Sequence, residues 1–119
     1  MGVKFWYWLN EMPLTILLTN ESMSIIIDRE KYVVIIAGKE IELPRKEFEL
    51  FRLLCSVPGK VFSRSAIFEK VWGGKSLSNE RTVDVHIVNL RKKIGDKLIR
   101  TIKGVGYKIT TEDITVKDS

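Results

Sequence analysis

Residues 81–94 read RTVDVHIVNLRKKI, and a helix drawn through them has two unlike faces. At about 100° per residue, Val83, Ile87, Leu90 and Ile94 fall on one narrow stripe, the spacing of a helix laid against a core. The opposite half carries Arg81, Val85, Val88, Asn89 and Lys92, with Thr82 beside them. Two β-branched hydrophobes therefore stand among polar and basic groups, where water would be expected. A helix that only covers a core gives no reason for them, so this face is expected to meet a partner.

The charge around this stretch says which kind. The whole chain, 119 residues long, carries a formal net charge of +5. Between Arg81 and Lys108 eight Lys or Arg face only Asp84 and Asp96, a local +6, and the remainder is −1. A concentrated positive surface suits a polyanion, because each Lys or Arg that neutralises a phosphate releases condensed counterions. The outer face of the stretch is thus expected to meet DNA. Its length suits one domain with a modest core, and 45% hydrophobic with 29% charged residues is a globular mixture. The single cysteine, Cys55, excludes an intramolecular disulfide, suits a reducing cytoplasm, and reads as a core residue rather than a reactive thiol. No run approaches the roughly 20 apolar residues of a membrane span, so a soluble, cytoplasmic protein is expected. Met1 and Gly2 open like a myristoylation site, but Trp6 stands where Ser or Thr is required.

Working outward, residues 1–13 read as an arm, linker or appended segment of no assigned role. From Leu14 four short extended runs follow, Thr15 to Leu18, Ser24 to Ile27, Tyr32 to Ile36 and Glu40 to Leu43, separated by Asn20, Asp28 and Ala37 with Gly38. They predict a four-stranded antiparallel meander that must lay one face on something else. Pro44 suits the first position of a helix in which Phe48, Phe51, Leu54 and Cys55 repeat at helical spacing. Arg45, Glu47 and Glu49 read as its solvated face. Ser63 caps a second helix with Ile67, Val71 and Trp72 inside, ended by Gly73 and Gly74; Ser78 or Asn79 caps the third, ended by Gly95. A hairpin follows, Leu98 to Ile102 and Tyr107 to Ile109, whose tip glycines, Gly104 and Gly106, are read as supplying positive φ. Residues 14–110 form the domain, and 111–119 read as a frayed acidic tail. The fold class is α+β: a winged helix-turn-helix, with an N-terminal sheet, three helices and a hairpin wing.

Enzyme-like strings dissolve on inspection. Gly74, Lys75 and Ser76 spell the end of a phosphate-binding loop, but Glu69 takes the place of its first glycine and the run before it is helical. Gly104 and Gly106 could begin a dinucleotide fingerprint, but Ile109 takes the third position and no helix follows. Asp84 and His86 are two apart on a helix and point in different directions. The chain is read as no enzyme, with no cofactor, and its lone histidine cannot make a metal cluster.

A helix in the major groove turns its outer residues to base edges and its flanks to the sugar-phosphate walls. Val85 and Val88 can sit on thymine methyls and Asn89 can pair with adenine N6 and N7. Asp84 can accept from cytosine N4 or steady Arg81. Arg81, Thr82, Arg91, Lys92 and Lys93 are better placed for phosphates, His86 bonds locally or to a phosphate, and Lys103 at the hairpin tip reaches a minor groove or phosphate. A docking patch for another protein, using the exposed valines, is the competing reading.

LPRKEFELF at 43–51, VFSRSAIFEKVWG at 61–73, RTVDVHIVNLRKKIG at 81–95 and IRTIKGVGYKI at 99–109 together resemble the effector domain of the OmpR/PhoB-type response regulators, bacterial transcription factors. The resemblance covers roughly Ser24 to Ile109. It implies tandem binding to direct-repeat half-sites by a domain monomeric off DNA. It further implies an RNA polymerase contact loop (Gly73, Gly74, Lys75, Ser76, Leu77, Ser78 and Asn79) and backbone contacts from Trp72, Arg81, Thr82, Thr101 and Tyr107. Val85 matches a base-reading position. Val88 and Asn89 replace commonly basic residues, which argues for A·T-leaning sites, and Lys103 replaces a frequent arginine. Pro44 replaces the usual threonine cap. A receiver domain and its sensor kinase are implied partners; the receiver would need further sequence upstream, and an excised effector domain is favoured over a freestanding regulator.

Overall fold

The computed structural model describes residues 24–73 and 80–117. Their order is β1 (Ile25–Asp28), β2 (Val33–Ile36), β3 (Lys39–Glu42), α1 (Arg45–Ser56), α2 (Arg64–Trp72), α3 (Arg81–Ile94), β4 (Ile99–Ile102), β5 (Gly106–Ile109) and β6 (Ile114–Lys117). Turn chemistry sets the first hairpins. Asp28 Oδ1 accepts from the backbone N–H of Glu30 and of Lys31, at 3.0 and 3.1 Å, which folds β1 back onto β2. Ala37 and Gly38, at φ 51° and 85°, turn β2 into β3 as a tight hairpin demands.

The sheet departs from the predicted meander. Its order is β3-β2-β1-β6, antiparallel except where β6 runs parallel to β1, with Ile25 opposite Ile114 and Asp28 opposite Lys117. The tail read as frayed therefore supplies a strand, anchored by Ile25 N–H to Asp113 O and Arg29 N–H to Lys117 O, both 2.9 Å. Three helices and the wing form the long crossover that a parallel pair needs. Acidic character suggested solvation, but Ile114, Thr115 and Val116 are β-branched, and the open edge of β1 offers backbone groups that must be paired or wetted. The predicted strand Thr15 to Leu18 and the arm at 1–13 lie outside the described residues.

Helices α1, α2 and α3 pack under the sheet. Phe48, Phe51, Leu54 and Cys55 of α1, Ile67 and Val71 of α2, and Val83, Ile87, Leu90 and Ile94 of α3 are all buried, with Ile25, Ile27 and Val34 of the sheet in the same cluster. Each large side chain contributes roughly 1.5–3 kcal/mol of transfer free energy. Pro44 sits one place earlier than expected, as the residue capping α1, and provides no side-chain bond. Ser63 caps α2 as predicted, its Oγ accepting from Ala66 N–H at 3.0 Å. Gly73 in the left-handed region ends α2 and Gly95 ends α3; the residue preceding α3 is Glu80, which provides no side-chain cap, and Ser78 and Asn79, the expected caps, lie outside the described residues.

The glycines of the wing divide their work. Gly104, at φ 77°, makes the turn that Val105 N–H closes onto Ile102 O at 2.8 Å. Gly106 lies in β5 with no positive φ; a Cβ there would stand 2.0 Å from Phe62 O. Its bareness lets Phe62 and Tyr107 exchange backbone bonds of 2.8 and 3.0 Å, tying the wing to the entry of α2. The fold is α+β, a winged helix-turn-helix.

Candidate nucleic-acid interface

The outer face of α3 is open where the sequence placed its anomaly. Val83, Ile87 and Leu90 are at most 1% exposed, whereas Val85 and Val88 are 57% and 50% exposed. Around them Arg81 and Lys92 are exposed and Thr82 and Asn89 half-buried. Lys103 and Gly104 are exposed at the wing tip beside Val105, which is 54% exposed. Between the first turn of α2, α3 and the wing lies an open cleft of about 440 Å³, lined among others by Ser63, Arg64, Thr101, Lys103 and Tyr107.

Both flanks of α3 are tied down. On the wing side Asp84 accepts from Tyr107 Oη at 2.5 Å and pairs with Arg64 at 2.9 Å. One carboxylate thus joins α2, α3 and β5, and both oxygens of Asp84, expected at base edges, are engaged within the fold. Burial pushes the Tyr107 hydroxyl up to about 12, and the bond to Asp84 adds to this. Two turns further along, Arg91 donates from one guanidinium nitrogen to Ile99 O and Thr101 Oγ1, each at 2.8 Å, and lies over the Tyr107 ring. Arg91, expected on phosphates, is held in the fold as a strut between α3 and β4.

On the other flank Lys93 donates to Glu47 at 2.7 Å, and His86 Nδ1 lies 3.6 Å from the second oxygen of the same carboxylate. Glu47 is 4% exposed, which corrects its reading as part of a solvated face. Its register with Phe51 and Leu54, four and seven residues on, was the available signal. The Trp72 ring packs on His86 at 5.1 Å and on Phe68 at 5.9 Å, and Lys46 Nζ, donating to Val71 O at 2.8 Å, fastens α1 to α2. Arg64, Glu47 and Val105 are the residues that sequence reasoning did not single out for the site. Of the expected polymerase loop only Gly73 is described; 74–79 lie outside the described residues.

The family described as transcriptional regulatory protein, C terminal, matches residues 38–109. The chain belongs to it. This effector domain is 47% identical over 77 residues to the heme response regulator HssR of Staphylococcus saprophyticus, covering 61% of this chain and 34% of that protein. Against the phosphate regulon regulator PhoB of Rhizobium meliloti it is 43% identical over 87 residues, covering 70% and 38%. The chain thus spans little more than a third of these relatives. Among solved structures, the DNA-binding domain of Bacillus subtilis CssR aligns at TM-score 0.65 and 32% identity, covering 72% of this chain and 99% of that one. The Klebsiella pneumoniae RstA DNA-binding domain in complex with the RstA box aligns at 0.63 and 28%, covering 71% and 88%. The resemblance read from the four motifs is therefore correct, and the domain is a DNA-binding, transcription-regulating effector of the OmpR/PhoB response-regulator type. Among the described residues no helix is long and apolar enough to cross a membrane, and no group of three His, Cys, Asp or Glu could hold a metal ion.

Proposed function

We propose that this effector domain binds double-stranded DNA sequence-specifically, with α3 in the major groove and the wing tip at the adjacent minor groove. The observation that carries the reading is the exposure of Val85 and Val88 opposite a fully buried stripe, on a helix flanked by basic residues. Val85, Val88 and Asn89 read bases, the valines on thymine methyls and Asn89 on adenine, so the preferred half-sites lean to A·T. Arg81, Thr82, Lys92, His86, Trp72 and Lys103 hold the backbone; Asp84, Arg91, Lys93, Thr101 and Tyr107 keep α3 and the wing in register for them. Val105 adds an apolar contact at the wing tip, suited to a minor-groove wall.

The domain acts as a binding module, without catalysis, in the cytoplasm. It is the output part of a two-component regulator whose receiver domain answers a sensor kinase. Tandem copies occupy direct repeats, and residues 73–79 meet RNA polymerase. Titration of duplex DNA across a range of salt tests the central claim. A phosphate-binding domain loses affinity steeply as salt rises, whereas flat or absent binding would sink the DNA reading in favour of protein docking. Random-oligonucleotide selection then gives the half-site.

A further inference from the structure

We infer that docking on DNA takes up one proton at His86, and that Glu47 is the positioning residue that makes it do so. The inference rests on the reading that α3 meets phosphates. His86 Nδ1 is buried with no hydrogen-bond partner among the described residues, and it faces the Glu47 carboxylate at 3.6 Å. Trp72 covers the ring at 5.1 Å. Nδ1 is enclosed while about a quarter of the side chain stays exposed, which leaves Nε2 as the ring nitrogen for a phosphate to meet, on the edge of α3 that also carries Thr82 and Asn89.

A neutral imidazole has one N–H to give. Directed by the carboxylate, that hydrogen belongs on Nδ1, which leaves a lone pair on Nε2 aimed at the groove wall. A phosphate oxygen arriving there meets a lone pair, and the two repel. Adding a proton from solvent to Nε2 makes the ring a donor at both nitrogens, bridging a buried carboxylate and a phosphate; no other bond forms or breaks. Two cations stand nearby: Lys93 pairs with Glu47 at 2.7 Å, and Lys46 is held by Val71 O with its charge 6.0 Å from the Trp72 ring. The phosphate is the second anion that tips the ring to the charged form.

His86 is the only histidine in the chain, so the linkage can be read cleanly. The test uses the duplex recovered by random-oligonucleotide selection, titrated calorimetrically into the chain at slightly alkaline pH in two buffers of different ionisation enthalpy. The expected uptake approaches one proton, and affinity measured at fixed ionic strength rises up to about tenfold per unit fall in pH across the imidazole range. His86→Gln should abolish both effects, and Glu47→Gln should reduce them, with folding checked by circular dichroism. Binding without proton uptake, or uptake that persists in His86→Gln, overturns the inference while leaving DNA binding intact. Full uptake in Glu47→Gln removes Glu47 from the role. Absence of salt-sensitive binding would instead strike the proposed function itself.

Discussion

Asn89 and Lys92 lie on the same outer face of α3, and in the proposed docking they serve DNA in different ways. Asn89 carries information, since a bidentate amide–adenine pair discriminates by about 1–3 kcal/mol. Asn89→Ala should relax preference at one base position in a selection, and unchanged selected sites would remove Asn89 as a reader. Lys92 carries affinity: Lys92→Ala should weaken all sequences alike and lower the salt slope by about 1, read from titrations at several salt concentrations. Asp84 and Arg91 show where residue-level reading runs out. Both sit on α3 among polar neighbours and looked available to DNA, yet each is spent on an intramolecular partner in α2 or the hairpin.

At the scale of elements the wing depends on one close approach. Gly106→Ala would drive a Cβ to 2.0 Å from Phe62 O, a contact between two backbones with no flexible end to yield. The expected cost is about 1–3 kcal/mol of stability, seen as a lower urea midpoint, with weakened DNA binding because Tyr107 follows immediately. An unchanged midpoint would mean that the Phe62 bridge relaxes without loss. Helix positions were legible because their information is local: the stripes of α1, α2 and α3, the Ser63 cap and the Gly73 and Gly95 ends all lie within a turn or two of the residues that reveal them. The fourth strand was not, because β6 pairs with β1 across nearly the whole chain and its sequence, read alone, is a charged terminus.

Across the whole molecule, two buried acids predict an alkaline limit. Burial pushes the Cys55 thiol up to about 12 from an ordinary 9.0, and Tyr107 up to about 12 from 10.0. The unfolded chain releases these protons first, so between the ordinary values and about 12 the folded state binds more protons than the unfolded state. Their stabilisation is complete below about pH 9 and is lost as pH rises toward 12. Unfolding free energies from urea titrations should therefore fall with pH above about 9, and Tyr107→Phe should flatten the part above about 10. A profile level across that range would contradict the burial of both groups.

RTVDVHIVNLRKKI by itself determined a helix, its buried stripe and the exposed valines among basic residues, because helical periodicity is a property of neighbours in sequence. Together with the three other motifs it determined the winged helix and its kind of partner. Only the tertiary structure decided how the flanks of that helix are used. Asp84 meets Tyr107 across 23 residues and Glu47 meets Lys93 across 46, and such distances in sequence leave no periodic trace. A buried carboxylate needs a partner wherever the fold brings one, and here folding assigns two flanks of α3 to support and leaves the face between them exposed.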